Sequence, residues 1–181
     1  MSAYKASVKK SPKVKRCILL LWDEHFNEVV ATVFTVALRK AGLCVKVVGV
    51  NGLFATGCNR LVLHADLLLS KITPLVDDML CLILPCGYAD IQRLENDPRI
   101  RALFAAAARR QAQFVLYDHS VIKNSTLNSL AIASQDITVY GQNDDLLAFA
   151  KEVATTLAHL EKSFYCRAPT GMPQTAEQPS S

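Results

Sequence analysis

Short, almost uninterrupted apolar runs constrain this chain more than anything else in it. Cys17–Trp22 reads CILLLW, residues 79–84 read MLCLIL, residues 114–117 read FVLY, and residues 43–50 are broken only by Lys46. A strand with one face in water alternates polar and apolar residues. A run without alternation must be covered on both faces, as in a parallel sheet. Between the runs the spacing changes to that of helices. Val29, Val30, Val33, Phe34, Ala37 and Leu38 recur at helical intervals before a stop at Gly42, with Asn27 or Asp23 as the cap. Pro98 suits the first turn of a helix running to about residue 110, and residues 144–161 form an amphipathic helix. Weaker signals predict a loop or hairpin over 51–60, a short strand over 61–64, a short helix over 72–76 and a helical turn over 90–95. They also predict a helix over 120–130 and a strand over 137–140. Strands alternating with helices predict a three-layer α/β/α sandwich with a mostly parallel, flavodoxin-like sheet. The domain spans residues 16–162, between a flexible basic tail at 1–15 and a disordered C-terminal tail at 163–181.

In such sheets ligands meet the chain beyond the C-terminal ends of the strands. Three loops are expected to converge there: 23–28, 85–90 and 118–120. In the last, a strand stops abruptly at Asp118-His119-Ser120 before a helix-compatible segment, a geometry that lifts one side chain out of the sheet. An aspartate stands at that tip. Its plainest role is to accept backbone N–H bonds at the start of the next helix.

The net charge of +4 is unevenly spread, with +6 on residues 1–16 and −2 on the remainder. That basic segment reads as a solvated tail, with contact to nucleic acid or an anionic surface as the other reading. Six cysteines occur without CxxC spacing, which argues against a zinc site and against a disulfide framework. They fit a reducing cytoplasmic compartment, with most thiols buried as small hydrophobes. His25, His64 and His159 have no metal-ligating spacing, and no cofactor motif is read. No apolar run is long enough for a transmembrane segment, and the N-terminus does not read as a signal peptide.

Four features taken in order resemble the ThiJ/PfpI superfamily, of the class I glutamine amidotransferase-like fold. They are CILLLW followed by Glu28, LILPCG at 82–87, LYDHSV at 116–121 and DDLLAF at 144–149. The resemblance covers residues 16–160. It implies that Glu28 faces the elbow, where members carry a cysteine whose thiolate the glutamate tunes. Here that cysteine is Asp118, the following elbow glycine is Ser120, and the first glycine of a Gly-Gly pair is Cys86. Residues 131–136 are also too short for an insert that commonly lines the pocket and helps build a dimer.

The remaining readings stay open. Asp118 and Glu28 could form a carboxylate dyad that shares a proton, or Asp118 could pair with His119. Cys86 could carry relocated thiol chemistry near His119. With its elbow thiol absent, the chain reads as a non-catalytic binding or regulatory domain acting through a protein partner or small ligand. The ligand-site residues would be Trp22, Glu28, Cys86, Gly87, Asp118, His119 and Ser120, and self-association as a homodimer is a further expectation. The competing expectation is a small hydrolase, deglycase/glyoxalase-like or redox-sensing enzyme using Asp118, Glu28 and Cys86.

Overall fold

The computed structural model describes residues 15–141 and 145–166. The expectations for residues 1–14, for Asp144 and for the chain beyond 166 lie outside the described residues. Six strands form one parallel sheet: β1 (Cys17–Trp22), β2 (Cys44–Gly49), β5 (Leu67–Leu68), β6 (Met79–Ile83), β7 (Gln113–Leu116) and β8 (Ile137–Val139). Their order is β5-β2-β1-β6-β7-β8. Without the two-residue edge strand β5, this is the flavodoxin-like 2-1-3-4-5 order. A separate antiparallel hairpin joins β3 (Phe54–Thr56) to β4 (Val62–His64), within the region expected to be a loop or hairpin and a short strand.

The unbroken apolar runs have the anticipated cause. Ile18, Leu20 and Trp22 enter the core shared with α1 (Glu28–Lys40) and α6 (Leu146–Cys166). Cys17, Leu19 and Leu21 point the other way, into the core shared with α3 (Tyr88–Leu94) and α4 (Pro98–Arg109). Both faces are dry, so neither set of alternating positions tolerates a polar side chain. Asn27 caps α1 by accepting from Val30 N–H at 3.1 Å. Arg39 and Lys40 sit in its last turn, where the helix dipole favours cations. Asp97 caps α4, whose first residue is Pro98.

Two expectations are corrected. The single helix over 120–130 is interrupted: α5 covers only Ser120–Lys123, and a separate 3-10 turn follows at Thr126–Ser129. Ser125 causes the break by accepting from Leu127 N–H, a local side-chain bond that competes with helix propagation. The final helix, expected over 144–161, starts at Leu146 and continues to Cys166. Asp145 accepts from Ala148 N–H at 2.9 Å at its start.

Candidate functional site

Two of the three expected loops are tied together directly at the C-terminal ends of β1 and β6. Asn27 N–H donates to the Pro85 carbonyl at 2.7 Å, and Arg93 donates to the Glu24 carbonyl at 2.9 Å. The elbow after β7 is held to the same end of the sheet by Tyr140. Its hydroxyl reaches the Leu84 carbonyl at 3.0 Å, and its N–H pairs with the Leu116 carbonyl. Trp22 closes the floor, buried and stacked on Phe26 with ring centroids 4.6 Å apart. Its indole N–H has no acceptor among the described residues, although most buried donors are paired.

Glu28 opens α1 and is buried. It is engaged by a fourth loop, at residues 57–61 between β3 and β4. Its carboxylate accepts from Asn59 N–H at 2.6 Å, Asn59 Nδ2 at 2.9 Å, Cys58 Sγ at 3.2 Å and Leu61 N–H at 3.3 Å. Burial by itself would raise this carboxyl. The hydrogen bonds from its own backbone, from Asn59 and from Cys58 outweigh burial and bring it down to about 2. The loop approaches so closely that a side chain at Gly57 is excluded, since a Cβ there would lie 2.1 Å from Glu28 Cγ and Cδ.

Asp118 has a different set of partners. Its Oδ1 accepts from Ser120 N–H at 2.6 Å, from the Ser120 hydroxyl, and from Val121 N–H at 3.4 Å. This is a side-chain turn that starts α5. The Ser120 hydroxyl bond, then the backbone bonds, hold its carboxyl below the usual range. A proton-sharing dyad would raise one of the two carboxyls. Both are held low, by donors from different segments, and no hydrogen bond joins the two among the described residues. His119 is exposed and lends α5 its backbone carbonyl, which accepts from Ile122 and Lys123 N–H. Ser120 serves Asp118 and is also exposed.

Cys86 follows β6, buried at 6% exposure. Burial, followed by the charge of Asp90, pushes its thiol up. The charged groups that act on it are Asp90, Arg93 and Asp23 rather than His119. Gly87 precedes α3, and a Cβ there would meet only Asp90 Oδ2 at 4.0 Å, so no close approach demands glycine. Cys58 is exposed, but the hydrogen bond to Glu28 pushes its thiol up as well, because a neighbouring carboxylate disfavours the thiolate. The crevice beside Cys86, lined by Asp23, Glu24, Phe26, Asp90 and Arg93, leaves no room for a water-sized molecule, and neither Glu28 nor Asp118 lines it. Small-molecule sites usually span roughly 300–1,000 Å³. A larger cavity, about 590 Å³, lies elsewhere, between α4 and α2 (Thr73–Val76), with Leu69, Ile72, Val76 and Leu103 in its lining.

Sequence reasoning missed Gly57, Cys58 and Asn59 as the partners of Glu28, a contact spanning about thirty residues. It also missed Glu95, a buried carboxylate that pins the segment after the elbow by accepting from Thr126 N–H at 2.9 Å and its hydroxyl at 2.7 Å. The only local signal was the glycine in the hairpin loop.

A parallel α/β sandwich with a strand–turn–helix elbow after β7, one strand from the β1/β6 switch point, defines the class of this protein. No family model matches the chain, and no curated protein matches its sequence. Solved structures do. DJ-1beta of Drosophila melanogaster matches with a TM-score of 0.66 at 14% identity, over 86% of this chain and 100% of that one. A ThiJ/PfpI domain protein of Brachyspira murdochii matches at 0.60 and 17% identity, over 82% and 98%. DJ-1 of Toxoplasma gondii matches at 0.61 and 15% identity, over 80% and 97%. The chain has the DJ-1/ThiJ/PfpI fold, in a sequence only 14–17% identical to these proteins.

Proposed function

We propose that this protein is a non-catalytic binding or regulatory domain built on the DJ-1/ThiJ/PfpI fold, acting through a protein partner. The observation that carries the reading is the state of Glu28. Four donors from residues 58–61 occupy its carboxylate, which leaves it no proton to exchange near neutral pH and no activated thiol to serve. Asp118 supports the same reading, because its Oδ1 is committed to starting α5. For the partner surface, the hairpin supplies support. Phe54 and Val62 project from one face of the β3–β4 pair and are 67% and 61% exposed. Val29 and Leu61, next to Glu28 in sequence or in contact with it, are 57% and 58% exposed. Apolar exposure concentrated on one element is a mark of interaction surfaces. A second copy of the chain is one partner such a face would suit.

Two measurements test the reading. Light scattering and pull-down should show self-association or a retained partner that is lost in Phe54→Glu/Val62→Glu. Turnover assays for glyoxalase, deglycase and peptidase activity should give no signal. Measurable turnover abolished by Asp118→Ala or Cys86→Ser would overturn the proposal in favour of an enzyme organised around those residues.

A further inference from the structure

At the opposite end of the sheet from the elbow, the first residues of β1 and β2 are both cysteines. Cys17 and Cys44 are direct partners in the parallel register, and their sulfurs stand 3.3 Å apart. Both belong to the sheet face that packs on α3 and α4, Cys17 fully buried and Cys44 at its partly buried margin. A disulfide has an S–S bond of about 2.05 Å, so the two sulfurs need to approach by only about 1.3 Å. The β1–β6 register is irregular at this place, shifting between Cys17 and Ile18. The ammonium of Lys46, two residues beyond Cys44 on the same face of β2, acts on Cys17, where it offsets part of the upward push from burial and from Cys44. The remaining described cysteines differ. Cys81 and Cys86 are buried with no recorded thiol contact, and Cys58 is exposed with its thiol held by Glu28.

We propose that Cys17 and Cys44 form a dithiol–disulfide site oxidised by hydroperoxides, separate from the elbow and independent of its chemistry. The accessible sulfur starts the reaction. Cys44 thiolate attacks the terminal oxygen of the hydroperoxide, an S–O bond forms, the O–O bond breaks, and the departing alkoxide takes a proton and leaves as an alcohol. Cys17 then attacks the Cys44 sulfur. The S–S bond forms as the S–O bond breaks, and hydroxide leaves with the Cys17 proton as water. Two thiols lose two electrons, and one hydroperoxide becomes alcohol and water. Burial, then the contact with Cys44, pushes the Cys17 thiol up to about 12, so Cys17 is not the sulfur that starts the reaction, and its proton leaves with the departing hydroxide in the second step.

The test uses the full-length protein, equimolar hydrogen peroxide, denaturing alkylation and non-reducing peptide mapping after trypsin. The expected product is a cross-link between the peptides 17–39 and 41–46. It should weigh about 2 Da less than the two thiol peptides together and revert with dithiothreitol. In Cys17→Ser the cross-link should vanish and Cys44 should become trappable by dimedone as a sulfenic acid. Should that core variant fail to fold, Cys44→Ser, at a half-exposed position, serves instead and should leave Cys17 alkylatable after peroxide. Wild-type protein in which Cys44 accumulates as sulfenic or sulfinic acid while Cys17 stays a free thiol would overturn the proposal. So would a cross-link that joins either cysteine to a different one, or a wild-type pair left fully alkylatable.

Discussion

Gly57→Ala isolates the contact on which the site is built. Gly57 is not among the residues with left-handed backbone. By conformational entropy alone, an alanine at a compatible position is neutral or stabilising by about 0.4–1 kcal/mol. The structure reverses that sign. The new Cβ would lie 2.1 Å from Glu28 Cγ and Cδ and 2.4 Å from Oε1, where ordinary contact needs 3.4 Å or more. Loop and side chain must separate by more than an ångström, beyond the tolerance of the 2.6 Å bond from Asn59 N–H and the 3.2 Å bond from Cys58. Hydrogen bonds to a charged acceptor contribute roughly 1.5–3 kcal/mol each. With two disrupted and water partly replacing them, Gly57→Ala should cost about 2–4 kcal/mol by urea denaturation. For a chain of this length that lowers Tm by roughly 5–15 °C. The decisive assay is a double-mutant cycle. In the Glu28→Ala background the clashing atoms are gone, so Gly57→Ala should cost less than about 0.5 kcal/mol. An equal cost in both backgrounds would show that Gly57 is required for another reason and would refute the argument.

Three further outcomes follow from the same geometry. Glu28 is ionised down to about 2 in the fold, against 4.5 ordinarily, so its contribution is complete above the ordinary value and fades as pH falls towards 2; Glu28→Gln should flatten the pH dependence of stability between those limits, and an unchanged profile would contradict the assignment. Tyr140→Phe removes the donor to the buried Leu84 carbonyl, 56 residues away in sequence, and should cost about 1–3 kcal/mol by chemical denaturation. Asp118→Ala should lose about 0.5–2 kcal/mol, the worth of a helix-starting side chain, whereas Asp118→Asn should recover most of it; equal losses in both would mean that the charge, not the turn, matters.

The strands were legible because burial on both faces leaves an imprint that no solvent-exposed element shares. CILLLW could be little else than an inner strand. Asp118 as a start signal for α5 was legible for a similarly local reason: a carboxylate two residues before a helix has few better uses. Residues 120–130 misled because their composition is helix-compatible while Ser125 offers the backbone a competing local bond. The two-residue β5 carries too little pattern to announce itself. The partners of Glu28 and the Cys17–Cys44 register were invisible because both arise from pairings about thirty residues apart, fixed by strand register and hairpin placement. The likeness to known proteins correctly indicated the fold, but not that the chain's own hairpin loop would occupy Glu28.

That occupancy makes the hairpin loop a tethered competitor. An outside molecule that needs the Glu28 carboxylate does not meet an empty site. It meets one filled by Asn59 and Cys58, held nearby by the chain itself at an effective concentration no free ligand easily matches. Its apparent affinity is the intrinsic one reduced by the fraction of molecules whose loop has swung away. Loosening the loop would therefore sensitise the protein to such ligands without altering a single group they touch.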